Sequence, residues 1–523
     1  MTQETRYVTT PIYYVNDRPH IGHVYTTTLC DVYARAMRNA GHDVFFLTGT
    51  DEHGIKVEES AEKRGMTPQA LADENSAIFQ SIMGTFLLTN DAFIRTTDPK
   101  HELQVQGLVS KLLESGDVYL GDFEGWYDQG QEEYHTQNSA RKLDYKSPIS
   151  GKPLVRATEK NYYFRLSAYQ TNLEKLFVDH PEFVRPEGRR NEVLGRLREG
   201  LQDVPISRTN FSWGVPMPND SEHVIYVWID ALFNYITALG LGDVTSVEFK
   251  ERNQYWPAAY HVMGKEILWF HAVIWPAVLM ALELPLPKCI YAHSLWIREG
   301  RKMSTSLGNF IDLESIEQYI DEYSMDALRY YLVTQGPLGS SDADFVAEKF
   351  HEIYNAHLVN TVGNCISRVT AMIEKYFDGV VPAQSDETQQ FADTNWPTIC
   401  EQASSVSLEA MENFSLQEAV ESAMGIIRKI DLFINETAPF KLAKDETKQA
   451  ELGTILYQCL EALRIASMLL HPVIPEKMDE FHKAIGVELP SGDIRPLLAW
   501  GGMKAGTAVK KIALFPRVET VAT

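Results

Sequence analysis

The chain has 523 residues, room for about three domains of ordinary size. Its composition, 44% hydrophobic and 23% charged, is that of a folded soluble protein and excludes wholesale disorder. Against 48 basic residues stand 71 acidic ones; the formal net charge of −23 repels phosphate backbones at long range and, taken alone, argues against a nucleic-acid partner.

Residues 6–15 are β-branched and aromatic and predict a strand. Residues 25–39 predict a helix ended by Gly41, and residues 43–47 a short apolar strand stopped by Thr48-Gly49-Thr50. Strand, helix and strand with short loops predict a βαβ unit and a parallel sheet. From 116 to 218 polar turns, aromatics, Gly and Pro dominate, the texture of an inserted module. Buried α/β character resumes at 223–229 and 259–263, then in a helix around 268–282 and a strand around 289–293. After Phe345 the chain reads as helices. Residues 351–377 place Val362, Cys365, Ile366, Val369, Ile373 and Phe377 at helical spacing; 414–435 and 456–470 are similar, with corners at Pro439, Pro472 and Pro475 and a loop at 381–390.

The five cysteines (30, 289, 365, 400, 459) have no close pair, which excludes a disulfide scaffold and a zinc knuckle. The first ten residues lack a secretory pattern. The most apolar run, 267–282, is shorter than the ~20 residues of a membrane span and contains His271 and Pro276. A cytoplasmic protein with no membrane contact is the expectation.

Two motifs carry chemistry. His20-Ile21-Gly22-His23 follows the first strand and opens a helix. Such an N-terminus offers free N–H groups and a positive dipole end, Gly22 admits a ligand to the backbone, and two imidazoles three residues apart can donate to charge on a transferring phosphoryl group. Alone, the tetrapeptide reads as well as a capped helix with two surface histidines. Arg301-Lys302-Met303-Ser304-Thr305-Ser306-Leu307-Gly308-Asn309 sets a cation beside three hydroxyls, a set suited to pyrophosphate, although most such strings are solvated loops.

Together the two motifs resemble the paired nucleotide motifs of class I aminoacyl-tRNA synthetases, with Thr305 where a second lysine is usual. Within that class the chain resembles the methionyl-tRNA synthetase family. The resemblance lies in Thr10-Pro11-Ile12-Tyr13-Tyr14-Val15-Asn16, Thr48-Gly49-Thr50-Asp51-Glu52-His53-Gly54, Ile206-Ser207-Arg208 with Trp213-Gly214, and Tyr226-Val227-Trp228-Ile229-Asp230-Ala231. It continues in 261–267 and in Asp326-Ala327-Leu328-Arg329-Tyr330-Tyr331, and runs to about Pro475.

The resemblance implies a Rossmann-like parallel-sheet catalytic domain split by an insertion and followed by an all-α bundle. The expected division is 1–115 and 221–300 for the two catalytic halves, 116–220 for a connective insertion, and 301–345 for the lysine loop and stem-contact region. Residues 346–485 are expected to form the anticodon-binding bundle, and 486–523 a tail packed back on the body. A methionine pocket is implied at Ile12, Tyr14, Asp51, Trp228, Leu232, Tyr235 and His271. Asp51 would pair with the ammonium, the apolar rings would enclose the thioether, and Tyr14 and His271 would offer hydrogens near sulfur. ATP, with Mg²⁺ on its phosphates, is expected over His20, Gly22 and His23, with Gly264 and Glu266 near the adenosine and Trp296 or Ile297 by the base. Lys302 and Thr305 would lie along the phosphates, and His20, His23 and Lys302 would be the catalytic set.

Many relatives carry a metal knuckle in the insertion. Here the corresponding positions are Asp128, Gln131, Ser147 and Ser150, so no structural zinc is expected. For the anticodon, Asn364 and Arg368 match the family's Asn-x-x-x-Arg pair, expected on the solvent face of their helix, and Phe440 stands where a stacking tryptophan is usual. The partners implied are tRNA(Met), L-methionine and ATP, in a monomer, since the chain ends before the usual C-terminal dimerisation domain. Rival readings are another class I synthetase, a small nucleotidylyltransferase and a catalytically silent tRNA-binding paralogue. The net charge does not forbid tRNA, because contact is local. Between 185 and 208 six arginines face four acids, and from 501 onward Lys504, Lys510, Lys511 and Arg517 face one; these strips are the expected tRNA contacts.

Overall fold

The computed structural model describes residues 4–16, 18–128, 133–135, 137–148, 150–303, 309–384, 394–489 and 492–518. Seven strands make a central sheet in which every pairing is parallel. β1 (Thr5–Thr9) lies between β3 (Asp43–Asp51) and the strand Tyr260–Gly264, and Cys289–His293 and Val184–Arg185 follow outward from there. β2 (Tyr13–Tyr14) and β4 (Ala92–Arg95) pair with the far part of β3. The strand order reverses at β1, and the carboxyl ends on either side of such a reversal leave a crevice.

The predicted strand at 6–15 is two strands, because Pro11 has no N–H for the ladder; pairing resumes with Tyr13 opposite Thr50. α1 (Ile21–Asn39) begins four residues earlier than predicted, because His20 itself caps it. β3 runs past its predicted stop. Thr48-Gly49-Thr50 pair with β4, and Gly49 is required there, since a Cβ would stand 2.1 Å from the Ile94 carbonyl oxygen. α2 (Ile55–Lys63), α3 (Pro68–Thr85) and α4 (Pro99–Glu114) follow.

The insertion holds a four-stranded antiparallel sheet built on Val118–Asp128 and Val155–Phe164, and a three-stranded one ending in Asp220–Ile225. It is not one uninterrupted block. Val184–Arg185, inside the 116–220 range, return to the central sheet beside Ile290 and Tyr291. The apolar run 223–229 also divides: its strand stops at Ile225 and a helix, Val227–Thr237, starts, so Trp228 sits in a first helical turn and not in a strand. A short apolar run does not distinguish the two by period. The predicted helix at 268–282 is a wide π turn, Phe270–Ile274, leading into Trp275–Ala281. Pro276 has no N–H for the regular α ladder, which favours the wider turn.

The C-terminal region is helical, with Ala347–Ile353 and a π stretch, Tyr354–Gly363, running into Asn364–Tyr376. Trp396–Glu412, Leu416–Thr437, Gln449–Leu470 and Pro475–Ala484 complete it. The core of this region is continuous with one face of the central sheet. The tail lies against both halves: the Ile494 N–H donates to the Asn39 carbonyl at 2.8 Å, and the Tyr354 hydroxyl to that of Pro516 at 2.7 Å. The Asp-Ala-Leu-Arg-Tyr-Tyr motif is the joint. Fully buried Arg329 pairs with Asp31 of α1 at 2.6 Å and donates to the Pro472 and Val473 carbonyls, while Asp326 accepts the Lys477 N–H. Among the described residues no helix is long and apolar enough to cross a membrane.

Candidate active site

A cleft of about 430 Å³ opens at the carboxyl ends of β1, β3 and Tyr260–Gly264. The β1–α1 turn supplies Ile12, Tyr14, His20, Gly22 and His23, and the end of β3 supplies Asp51. The helix Val227–Thr237 brings Trp228, Leu232 and Tyr235, and the opposite wall holds Gly264, Glu266 and His271. Twelve of the sequence-predicted positions therefore meet in one place, from four separate stretches of chain.

The two histidines are fixed by the backbone of their own helix. The Gly22 N–H donates to His20 Nδ1 at 3.1 Å, and the His20 N–H donates to His23 Nδ1 at 3.2 Å. With both Nδ1 atoms accepting, the ring hydrogens belong on Nε2. Burial, and then His20 itself, hold His23 well below the usual histidine range, so it is a neutral donor. The rings lie 3.9 Å apart between centroids. Gly22 lines the cleft and has a second role besides the one expected: a Cβ there would meet the His20 ring at 2.9 Å, so glycine leaves room for the imidazole to fold over the helix end.

Asp51 is the electrostatic centre. Its carboxyl is buried, and Oδ1 has no hydrogen-bond partner among the described residues. Burial first, and then the nearby Asp230 carboxylate, push it well above the usual range. The imidazole and aromatic walls beside it are neutral, while Lys56 of α2 also lines the cleft. His271 Nδ1 lies 3.0 Å from the Ile267 carbonyl, so it carries the hydrogen, and Nε2 accepts from the Tyr235 hydroxyl at 2.8 Å. Burial pushes His271 down to about 4. Its one ring hydrogen is therefore spent on backbone, and His271 has none to offer a sulfur, contrary to expectation. Trp228 stacks on Phe270 with centroids 4.4 Å apart.

Lys302 sits on the short strand Arg301–Lys302, paired with Trp296–Arg298. Its ammonium forms an ion pair with Glu266 at the cleft wall. Beyond it, Ile21 N–H donates to the Ile311 carbonyl at 3.1 Å and Phe310 packs on His20, so the far end of the lysine loop is tied to α1. Thr305 lies outside the described residues. Trp296 corrects an expectation: it is only 6% exposed, turned into the core against Tyr25 and Tyr331, and does not line the cleft. In a strand successive side chains alternate, and Ile297 beside it is half-buried, though it too lies outside the cleft lining.

Sequence reasoning missed Thr26, Asn234 and His293, which also line the cleft; Thr26 Oγ1 lies 2.8 Å from His293 Nε2. Thr26 lies four residues after Gly22 and three after His23 on α1, a spacing that points it the same way. In the insertion, Ser147 Oγ accepts the Ser150 N–H at 3.1 Å, so these positions build a turn; Gln131 lies outside the described residues. Among the described residues no group of three or more metal-ligating side chains occurs.

On the bundle, Asn364 is exposed, but Arg368 is not free as expected: its guanidinium lies 3.2 Å from Asp431 and 3.5 Å from Asn435 Oδ1. Phe440 is 45% exposed on a short helix, Pro439–Leu442. The expected basic strip at 185–208 is only partly exposed: Arg196 and Arg198 are exposed, Arg185 and Arg190 half-buried, and Arg189 and Arg208 buried. Arg189 is buried against Ser294 and Ser340, Arg196 lies over the Trp269 ring, and Arg208 is buried over Tyr226. Arg185 and Arg190 donate to the Asn413 and Pro181 carbonyls.

Comparison with known proteins decides the family. The family described as tRNA synthetases class I (M) matches residues 6–142 and 135–370. The methionine–tRNA ligase of Caldanaerobacter subterraneus subsp. tengcongensis is 43% identical over 520 residues, 99% of this chain and 79% of that protein. That of Bacillus subtilis is 41% identical over 534 residues, again 99% and 79%. The chain belongs to the methionine–tRNA ligases of class I. Among solved structures, Mycobacterium tuberculosis methionyl-tRNA synthetase in complex with methionyl-adenylate superposes with a TM-score of 0.90 at 35% identity, covering 98% of this chain and all of that one. The free form of the same enzyme gives 0.83 at 32% identity, covering 99% of each. The Rossmann-like sheet followed by a helical bundle is thus the fold of a methionine–tRNA ligase.

Proposed function

We propose that the cleft carries out both steps of methionine–tRNA ligation with the residues just described. The observation that carries this reading is Asp51. A buried carboxyl with an unpartnered oxygen, set in neutral aromatic walls, is a costly arrangement that a substrate ammonium relieves. Ile12, Trp228, Leu232 and Tyr235 enclose the thioether, and the Tyr14 hydroxyl lies at the same end. The methionine carboxylate attacks the α-phosphorus of ATP, forming methionyl adenylate and releasing pyrophosphate. His20 and His23 donate their Nε2 hydrogens to the charge that develops, and Gly22 keeps them in place. Lys302 leaves Glu266 for the phosphates, and Gly264, Glu266 and Ile297 border the nucleoside. Mg²⁺ enters with the nucleotide. The methionyl group then passes to the 3′-terminal adenosine of tRNA(Met). No protein nucleophile takes part; catalysis is positioning and charge stabilisation.

The helical region reads the anticodon at the edge formed by Asn364, Arg368 and Phe440. The insertion acts without zinc, since Asp128, Ser147 and Ser150 are not a tetrahedral zinc set. Five buried, unpaired cysteines support a reducing, cytoplasmic setting. The test is amino-acid-dependent ATP–pyrophosphate exchange. Exchange with methionine is expected; exchange with another amino acid and none with methionine overturns the reading.

A further inference from the structure

Behind Asp51, outside the cleft lining, lies a buried polar trio. His53 Nδ1 is 2.7 Å from Asp230 Oδ2, and His53 Nε2 is 3.5 Å from a carboxylate oxygen of Glu102 on α4. A ring with a carboxylate against each nitrogen holds a hydrogen on both, as an imidazolium. His101, also on α4, takes the other Asp230 oxygen at 2.9 Å, and its Nδ1 meets the Thr237 hydroxyl at 2.7 Å. That bond to Asp230 needs only the one Nε2 hydrogen. Trp213 packs against His53, with centroids 5.4 Å apart, and closes the trio from the insertion. Two of the family-like motifs, one at the end of β3 and one opening the helix Val227–Thr237, thus meet through a charge pair that the ligation chemistry leaves unused.

We propose that His53, held between Asp230 and Glu102, is a positioning residue for methionine capture. It favours the charged Asp51 carboxylate against burial and Asp230, and so sets the lower pH limit at which the substrate ammonium is bound. The proposal rests on Asp51 as the ammonium partner. The groups acting on Asp51 are Asp230 from the neighbouring helix and Glu52 and His53 from its own strand end; Lys56 of α2 lines the same cleft. Glu52 is neutralised by Arg95 at 2.7 and 2.9 Å, and Arg95 also reaches Asp73. Burial and Asp230 push Asp51 up, and His53 pulls it down through both its ring charge and its backbone N–H. Burial also opposes the charge on His53, but Asp230 outweighs it and lifts His53 to about 10, so the imidazolium persists across the working range.

The experiment is the pH profile, from about 5.5 to 9, of the methionine KM in ATP–pyrophosphate exchange, with the ATP KM measured alongside. His53→Gln is expected to move the acid limb of the methionine KM up by about one pH unit, a roughly tenfold weaker capture on the acid side, with kcat at high pH and the ATP KM unchanged. Adding Asp230→Asn, which removes the charge that pushes Asp51 up, is expected to bring the limb back towards wild type. An unmoved limb in His53→Gln, or a pH-independent loss of kcat, overturns the proposal. Asp51→Asn separates the two layers. If it leaves the methionine KM intact, the ammonium partner lies elsewhere and the underlying reading fails. If it abolishes capture while the limb of His53→Gln stays put, only the present proposal fails. Should the variants not fold, ring ¹⁵N shifts of histidine-labelled wild type decide: a doubly protonated His53 near pH 7.5 is expected, and a neutral ring overturns the proposal.

Discussion

The cleft and the bundle edge hold their functional groups in opposite ways. In the cleft the imidazoles are already engaged by nearby chain: His20 and His23 by backbone N–H groups, His271 by the Ile267 carbonyl and Tyr235. Among the described residues two buried acceptors of the cleft lining, Asp51 Oδ1 and Asn234 Oδ1, are left over. On the bundle edge the groups are partly exposed, and the cation is taken by a neighbour, Arg368 by Asp431. The cleft is an incomplete network that a ligand completes, whereas the edge is a complete one that a ligand must exchange. The first arrangement favours preorganised catalysis; the second favours discrimination, because only a partner better than Asp431 and Asn435 releases Arg368.

Lys302 is the exception within the cleft, since its ammonium, like Arg368, is paired with a protein carboxylate, Glu266. Lys302→Ala gives the largest effect expected outside the methionine pocket. Adenylate formation should slow by about a hundredfold or more, the range for losing a charge aimed at a transition state. Methionine binding, followed by tryptophan fluorescence, should change less than about twofold, because Lys302 does not line the methionine pocket. An unchanged exchange rate would break the assignment of the phosphates to this lysine. Loss of methionine binding would break the division of the cleft into two ends.

The same contrast explains what could be read from the sequence. The His20-Ile21-Gly22-His23 turn was legible because cap, ring and glycine lie within four residues and constrain one another. Asp51 sits at the end of β3 beside the reversal of the sheet, where position in the fold follows from topology, and Trp228 and Tyr235, seven residues apart on the helix Val227–Thr237, share the face that meets it. Trp296 was not legible: in a three-residue strand nothing local says which parity faces the core. The partner of Arg368 comes from 63 residues further on, across a helix pair, and short-range periodicity carries no information about it. The burial of two of the six arginines in the basic strip at 185–208 was hidden for the same reason. Charge counted along the chain does not reveal that Arg189 and Arg208 are buried and that Arg196 covers a tryptophan.

Arg368→Ala sharpens the comparison from the other side. Charging of tRNA should fall by about ten- to a hundredfold in kcat/KM, while methionine-dependent exchange stays at the wild-type rate. Burial already raises Asp431 and Arg368 opposes that rise, so removing the arginine leaves a half-buried carboxyl alone. The double variant Arg368→Ala with Asp431→Asn relieves that cost. If charging recovers in the double variant, the arginine serves the fold and not the anticodon. If exchange falls together with charging in both, the two regions are not separable as described.

Phe440 should give the smallest effect. It is 45% exposed on a four-residue helix entered through Ala438, whose backbone is left-handed at φ +45°, so the ring is held out by the turn and supports little core. Base stacking on an aromatic ring is worth about 1–3 kcal/mol when truncated to alanine, and Phe offers less area than Trp. Phe440→Ala should therefore raise the KM for tRNA(Met) by about five- to tenfold at the low end of that range, with the thermal midpoint of the protein unchanged. Phe440→Trp should leave that KM equal or lower it. A fall in the thermal midpoint without a change in the tRNA KM would place Phe440 with the packing of the bundle, and the reading edge would then reduce to Asn364 and Arg368.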